Sequence, residues 1–385
     1  MANERPAGRI ASQALEMRTK HVNLSQAITM SAVLVAAAPV CAQEIPLARR
    51  AHMNEATRAL YDRIRSSKGW LLGVGVFAGG EKANVSIPEA ARALDRWREL
   101  YGPHTPACYE WELGEQPWEW RKKPWATRDW PAAKVFAEKG GIPWFRSHLQ
   151  NFSASPGPNR QGSAWDTTGL IGPVLPGGAK HADFVAYFTE LAREFKAFGH
   201  PCVFRLFHEM NGRWFWWGWQ PEKYQKLWRM VFDIFQKEGA NNVIWCWAVT
   251  ADVGDPPLYY PGDDVVDIVG TDQYFDGAEL PEKTRGGIAT VAALAKDKPF
   301  FLAELGPVAR ADFWQNAEKE FPTIPRLRGF MVWFARDWKA WGSVQGRGSL
   351  IDETSPPEAM KAFKDFVTNP RTITLERFAG GGRRE

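Results

Sequence analysis

Short apolar runs alternate with amphipathic segments along most of this chain, and no other feature constrains the fold as strongly. The runs are Leu71–Phe77, Thr105–Glu110, Ile142–His148, Cys202–His208, Val243–Ala248, Val265–Thr271, Pro299–Glu304 and Gly329–Phe334. Each is nearly continuous in apolar character, as parallel strands covered on both faces must be. Helical stripes fall between them. Phe184, Tyr187, Phe188, Leu191 and Phe195 form one that stops at Gly199; Tyr224, Leu227, Trp228, Val231 and Phe235 form another, opened by Pro221 and ended by Gly239. Ser86 to Glu89 has the cap-like Ser and early Pro of a helix start. Ile288–Leu294, Asp312–Phe321 and Glu358–Val367 complete the series. Eight strands in alternation with helices predict an α/β fold, a single-domain (β/α)8 TIM barrel. The expected boundaries are a lead-in at 43–68, the barrel at 69–370 and a flexible tail at 371–385.

A barrel of this kind carries its chemistry at the C-terminal ends of its strands. Two acids stand there. Glu209 follows the fourth run, and Glu304 ends the seventh, in Pro299-Phe-Phe-Leu-Ala-Glu304. A charge ending an apolar run must be paired or must face a cavity. Only a closed barrel brings residues so distant along the chain together. Glu209 is also followed by tryptophans at 214, 216, 217 and 219, part of a total of 20. Flat apolar rings stack on the C–H faces of sugars, and by excluding water they raise a carboxyl pKa toward that of a general acid. Two carboxyl groups in an aromatic cleft point to glycoside chemistry, with one acid and one nucleophile. The long connection from Gln150 to Gly178, rich in Gly, Pro and Ser, follows the third strand and so belongs to the same face. It carries Trp165 and Asp166.

The stretch from Arg205 to Gly218, with His208-Glu-Met-Asn-Gly212 and the following Trp214, resembles glycoside hydrolase family 26, the β-mannanase family of the clan A barrels. Tyr259-Tyr-Pro-Gly-Asp263, Val266-Asp-Ile-Val-Gly270 and Lys298-Pro299 through Glu304-Leu-Gly306 carry the same resemblance, which extends from about Gly69 to Val367. It implies a retaining, endo-acting hydrolase of internal β-1,4 linkages, most readily those of β-mannan. Glu209 would be the acid/base and Glu304 the nucleophile. Arg205 and Tyr274 would hold the nucleophile ionised. His208 would contact the sugar beside the scissile bond, His148 would reach the sugar from the end of the third strand, and Trp165 would line the cleft. Trp214 would stack near the cleavage point, and Trp333 would floor the pocket. No metal and no organic cofactor is required. Two departures, Ala248-Val-Thr-Ala-Asp252 after the fifth strand and Phe334 after Trp333, leave other substrates open. These are mixed-linkage β-glucan, β-1,3-xylan or a bacterial exopolysaccharide cut by the same machinery. A non-catalytic carbohydrate-binding barrel is a further alternative, disfavoured by the presence of both glutamates.

Other readings fall away. A net charge of +4 with no extended basic block argues against nucleic acid as a partner. Gly73-Val-Gly75 follows a strand but opens no helix, so it is no dinucleotide turn. His208-Glu209 lacks the second His of a zinc-protease helix, since position 212 is Gly. Asp263-Asp264 reads as a solvated loop. Cys108, Cys202 and Cys246 are too widely spaced for a disulfide framework or zinc site and read as buried thiols. At the N-terminus, Arg18, Lys20 and His21 precede the apolar run Ser31–Val40, which is too short to span a bilayer. This predicts a signal peptide over 1–42, with Met17 as an alternative start, cleavage after Ala42 and a secreted or periplasmic product. No membrane span is expected, and the polysaccharide is the only partner, met by a monomer.

Overall fold

The computed structural model describes residues 51–77, 95–113, 130–146, 148–155, 158–159, 161–275, 277–306, 310–335 and 356–380. The expected signal segment and the expected helix start at Ser86 lie outside them.

Eight parallel strands close into a barrel. They are β1 Trp70–Phe77, β2 Cys108–Glu112, β3 Ile142–Arg146, β4 Cys202–Arg205, β5 Val243–Thr250, β6 Ile268–Gln273, β7 Phe300–Leu305 and β8 Leu327–Ala335. Each pairs with the next in chain order, and β1 closes the ring by pairing with both β8 and β2. All eight runs expected from the sequence are strands, with ends shifted by a few residues. The helices α1 Glu55–Ser66, α2 Trp130–Glu138, α3 His181–Phe198, α4 Pro221–Glu238, α5 Glu282–Leu294, α6 Ala311–Glu320 and α7 Pro357–Thr368 accompany them. Helices α3 and α4 end where glycine permits it: Gly199 and Gly239 adopt left-handed φ of 76° and 73°.

Strand alternation divides the apolar residues into two sets. Leu71, Cys108, Ile142, Trp144, Val203, Ile244, Cys246, Ile268, Phe301 and Met331 fill the barrel interior as one cluster. Leu72, Tyr109, Phe145, Phe204, Trp245, Trp247, Val269, Leu302 and Phe330 face the helices as another. The interior is filled to its limit: a Cβ on Gly329 would sit 2.2 Å from the Phe301 ring. The three described cysteines are free and buried, as read from their spacing.

The chain end departs from expectation. Residues from 371 were read as a flexible tail, but Thr372–Ile373 form β9, paired with Trp70 and Leu71 of β1, and Leu375–Gly380 form α8. Leu375 and Phe378 are buried, the Arg63 guanidinium lies 4.0 Å from the Phe378 ring centroid, and the Glu376 carboxylate accepts the Thr105 N–H. The apolar pair was too short for a periodic pattern, so its burial could not be seen in the sequence. Helix α1 falls within the expected lead-in. It is capped by Asn54, whose side chain accepts the Thr57 N–H at 2.9 Å.

Candidate active site

Charged residues gather at one end of an otherwise apolar barrel. Glu110 and Glu112 end β2, Arg146 ends β3, Arg205 ends β4, Asp272 lies near the end of β6 and Glu304 near that of β7. Their alignment follows from register. Glu112 is the cross-strand partner of Arg146, Arg146 of Arg205, and Asp272 of Glu304.

Glu304 points inward because β7 breaks its alternation. Thr271 pairs with Leu302 and Asp272 with Glu304, so Ala303 is an extra residue. Phe301 and Ala303 belong to the interior, and Leu302 and Leu305 to the outer layer. The bulge at Ala303 therefore turns two consecutive side chains, 303 and 304, to the inside. Glu304 is only 4% exposed and is held on both oxygens. Oε1 accepts from Arg205 and from Arg146 Nη1 at 2.9 Å, and Oε2 accepts from the Tyr274 hydroxyl. Burial works to raise its pKa. The two guanidiniums and the Tyr274 hydrogen bond outweigh that and hold the carboxyl below its ordinary range.

Glu209 is built differently. Strand β4 stops at Arg205, and the chain turns sharply through Phe207 and Glu209, whose φ values are 44° and 54°. Glu209 lies four residues after Arg205, so a continued strand would aim both inward. Glu209 instead reaches the site from a strained turn, anchored by its N–H to the Ala248 carbonyl at 3.0 Å. The Trp214 indole N–H donates to Glu209 Oε2 at 2.7 Å. Glu209 keeps partial exposure, unlike Glu304 and Asp272. Desolvation first, and the negative charge of Glu304 second, push its pKa up to about 7.

An oxygen of Glu209 and one of Glu304 lie within 4.8 Å of each other, and an Asp272 oxygen lies within the same distance of both. A cation could use that spacing. However, both Glu304 oxygens and one Asp272 oxygen already accept from Arg205, Arg146 or Tyr274, so positive charge is supplied from within.

Arg205 is the hub. It is fully buried and donates to Glu110 Oε1 at 2.9 Å, to Asp272 Oδ2 at 2.8 Å and to Glu304. Arg146 lies 3.2 Å from both Glu110 and Glu112. Glu112 in turn accepts the His148 backbone N–H at 2.7 Å and lies 3.0 Å from His148 Nδ1. Against its burial, His148 and Arg146 draw the Glu112 pKa down to about 2.

His148 stacks on Trp165 at 4.9 Å and meets His208 edge-on at 5.0 Å. The Gln150–Gly178 connection that carries Trp165 is held by Asn151, whose amide donates to the Asp166 and Thr168 carbonyls, and by the Asp166 carboxylate, which accepts from Gly162 and Thr168. His208 is buried, and its Nδ1 has no hydrogen-bond partner among the described residues. Burial, then the charge of Arg205, keep it neutral.

Of the residues singled out from the sequence, His148, Trp165, Arg205, His208, Glu209, Trp214, Tyr274 and Glu304 are joined by these contacts into one cluster. The side chain of Trp333 lies outside the described residues, although its backbone belongs to β8. Sequence reasoning missed Glu110, Glu112, Arg146 and Asp272. The available signal was the same one that marked Glu304, a charge within or ending an apolar run.

The chain matches the model of glycosyl hydrolase family 26 over residues 122–341. A mannan endo-1,4-beta-mannosidase of Bacillus subtilis is 29% identical over 329 residues, covering 80% of this chain and 82% of that one. Endoglucanase H of Acetivibrio thermocellus is 39% identical over 208 residues, 47% of this chain and 22% of that one. The chain spans 27%, 32% and 58% of the lengths of the first three curated relatives, each a mannan endo-1,4-beta-mannosidase. Among solved structures, family 26 protein A from Muricauda superposes with a TM-score of 0.66 at 22% identity, covering 85% of this chain and 99% of that one, which shows the common fold. The matched segment contains Arg205, Glu209, Trp214 and Glu304, and the chain belongs to glycosyl hydrolase family 26.

Proposed function

We propose that this protein is a retaining, endo-acting glycoside hydrolase that cuts internal β-1,4 linkages of a mannan. The observation that carries the reading is the pair Glu209 and Glu304, with carboxylate oxygens within 4.8 Å and pKa values driven in opposite directions. Retaining glycosidases hold their two carboxyl groups about 5–5.5 Å apart, whereas inverting enzymes need roughly 6.5–9.5 Å to admit water.

In this mechanism Glu209, protonated near neutral pH, gives its proton to the leaving glycosidic oxygen. Glu304, kept ionised by Arg205 and Arg146, attacks the anomeric carbon. The C–O bond to the leaving sugar breaks as the bond to Glu304 forms. Glu209, now a carboxylate steadied by the Trp214 N–H, takes a proton from water. That water displaces Glu304 and returns the same anomeric configuration. His148 and His208 hold hydroxyls of the bound sugar, and Trp165 lines the cleft.

Mannan is favoured by the Bacillus subtilis relative, which aligns over most of both chains. The endoglucanase relative supports a second reading, the same chemistry on a β-glucan. Incubation with β-mannan, mixed-linkage glucan and xylan, followed by sizing of the products, separates them. Internal fragments from mannan alone are expected; fragments from glucan alone overturn the substrate, and none from any polysaccharide overturns the hydrolase. We also infer export through the segment 1–42. Mature protein beginning at Gln43 is expected, and secreted protein that begins at Met1 contradicts it.

A further inference from the structure

Trp219 is half exposed, at 50%, while the tryptophans that precede it in the same loop, Trp216 and Trp217, are fully buried. Among the described residues it is the one aromatic side chain in the exposed, large apolar set, whose other members are Val135 and Leu258. Its backbone φ is 57°, the left-handed region that ring-bearing residues rarely adopt. A ring kept in solvent at the expense of backbone strain calls for a function.

The backbone at Trp219 is tied to the segment that carries the acid. The Trp219 N–H donates to the carbonyl of Met210, the residue after Glu209, at 2.9 Å, and the Gly218 N–H to Phe215 at 3.0 Å. A Cβ on Gly218 would sit 2.5 Å from the Gly212 carbonyl oxygen, so the loop has no room to re-form around another backbone path. The Arg213 guanidinium carbon stands 3.7 Å from the Trp219 ring centroid, covering one face and fixing the plane of the indole.

We propose that Trp219 is a stacking platform for a β-linked hexopyranose unit on the leaving-group side of the cleft, with Arg213 as the positioning residue that orients it. The side follows from connectivity. Glu209 must approach the leaving oxygen, so the loop that carries Glu209 borders the departing part of the polysaccharide. Trp214 is engaged with Glu209, and Trp219 lies at the other end of that same loop. An apolar ring face with a guanidinium at its back suits a sugar, whose C–H face stacks while its hydroxyls bond outward. The proposal rests on the glycosidase reading above.

Two probes test it in the full chain: β-mannan, and an aryl β-mannobioside, whose leaving group places no sugar on that side. Trp219→Ala is expected to lower kcat/KM on mannan about tenfold, chiefly through KM, and to leave the aryl substrate unchanged. Trp219→Phe restores most of the loss, and Arg213→Ala reproduces a smaller part of it, again on the polymer alone. Trp219→Gly, which relieves the left-handed backbone, is expected to melt no lower than the parent yet to show the same polymer-selective defect. Equal rates for parent and Trp219→Ala on mannan, or equal losses on both probes, overturn the platform while leaving the hydrolase reading intact. A parent inactive on both probes overturns the two together.

Discussion

Asp272 and Glu304 are cross-strand partners on β6 and β7, yet Arg205 bonds to both, so three charged groups from three strands share one buried point. Each carboxylate there is tolerable only because a guanidinium faces it. Arg205 also carries Glu110. Removing it strands several buried charges at once, and that outcome is costlier than the worth of any one pair. Arg205→Met is therefore expected to destabilise the fold by about 3–5 kcal/mol, read from urea unfolding. Arg205→Lys does little better, since an ammonium cannot bridge three carboxylates in fixed directions.

Trp214 governs the acid through a single hydrogen bond. Its N–H favours the ionised form of Glu209 and so restrains a pKa that burial and Glu304 have raised to about 7. A general acid works while protonated, so activity falls as pH rises through that value. Trp214→Phe removes the restraint and moves the alkaline limb of the kcat/KM profile upward. It also lowers kcat by about tenfold, because the carboxylate needed to activate water is less well supported. An unchanged alkaline limb would contradict this assignment.

Gly212 protects that geometry. A Cβ there would lie 2.4 Å from the Trp214 ring. Gly212→Ala should displace the indole and reproduce the pH shift of Trp214→Phe without touching any ionisable group. Circular dichroism of the variant is expected to match that of the parent.

The pH dependence of stability should carry two opposite signatures. Glu112 has a folded pKa of about 2, below its ordinary value, so its stabilisation is present above about 4.5 and is lost as pH falls toward 2. Glu209 is raised to about 7, so its effect has the other sign: the fold is favoured below about 4.5 and loses stability as pH rises through 7. Glu209→Gln is thus expected to raise the melting temperature at pH 8, by the equivalent of about 1–2 kcal/mol, and to change it little at pH 4. Thermal scans at the two pH values check both signs.

How much of this was legible beforehand differs from element to element. The strands and the positions of Glu209 and Glu304 followed from apolar runs that end in charge, a signal that survives in a single sequence. The bulge at Ala303 did not, because an extra residue in a strand leaves no mark when its neighbours are all apolar. Without the bulge, strict alternation would put Ala303 inside and Glu304 outside. Glu110, Glu112, Arg146 and Asp272 each show as a charge in an apolar run, but only the closed barrel reveals which charge offsets which. The strain at Glu209 and Trp219 was equally invisible, since neither residue type announces a left-handed backbone.

The central claim is that Glu304 attacks while Glu209 protonates, at a separation too short for an intervening water. Proton NMR of the first product released from a β-linked substrate tests it most directly. The account predicts that the β-anomer of the new reducing end appears first and mutarotates to α afterwards. Initial appearance of the α-anomer would contradict it.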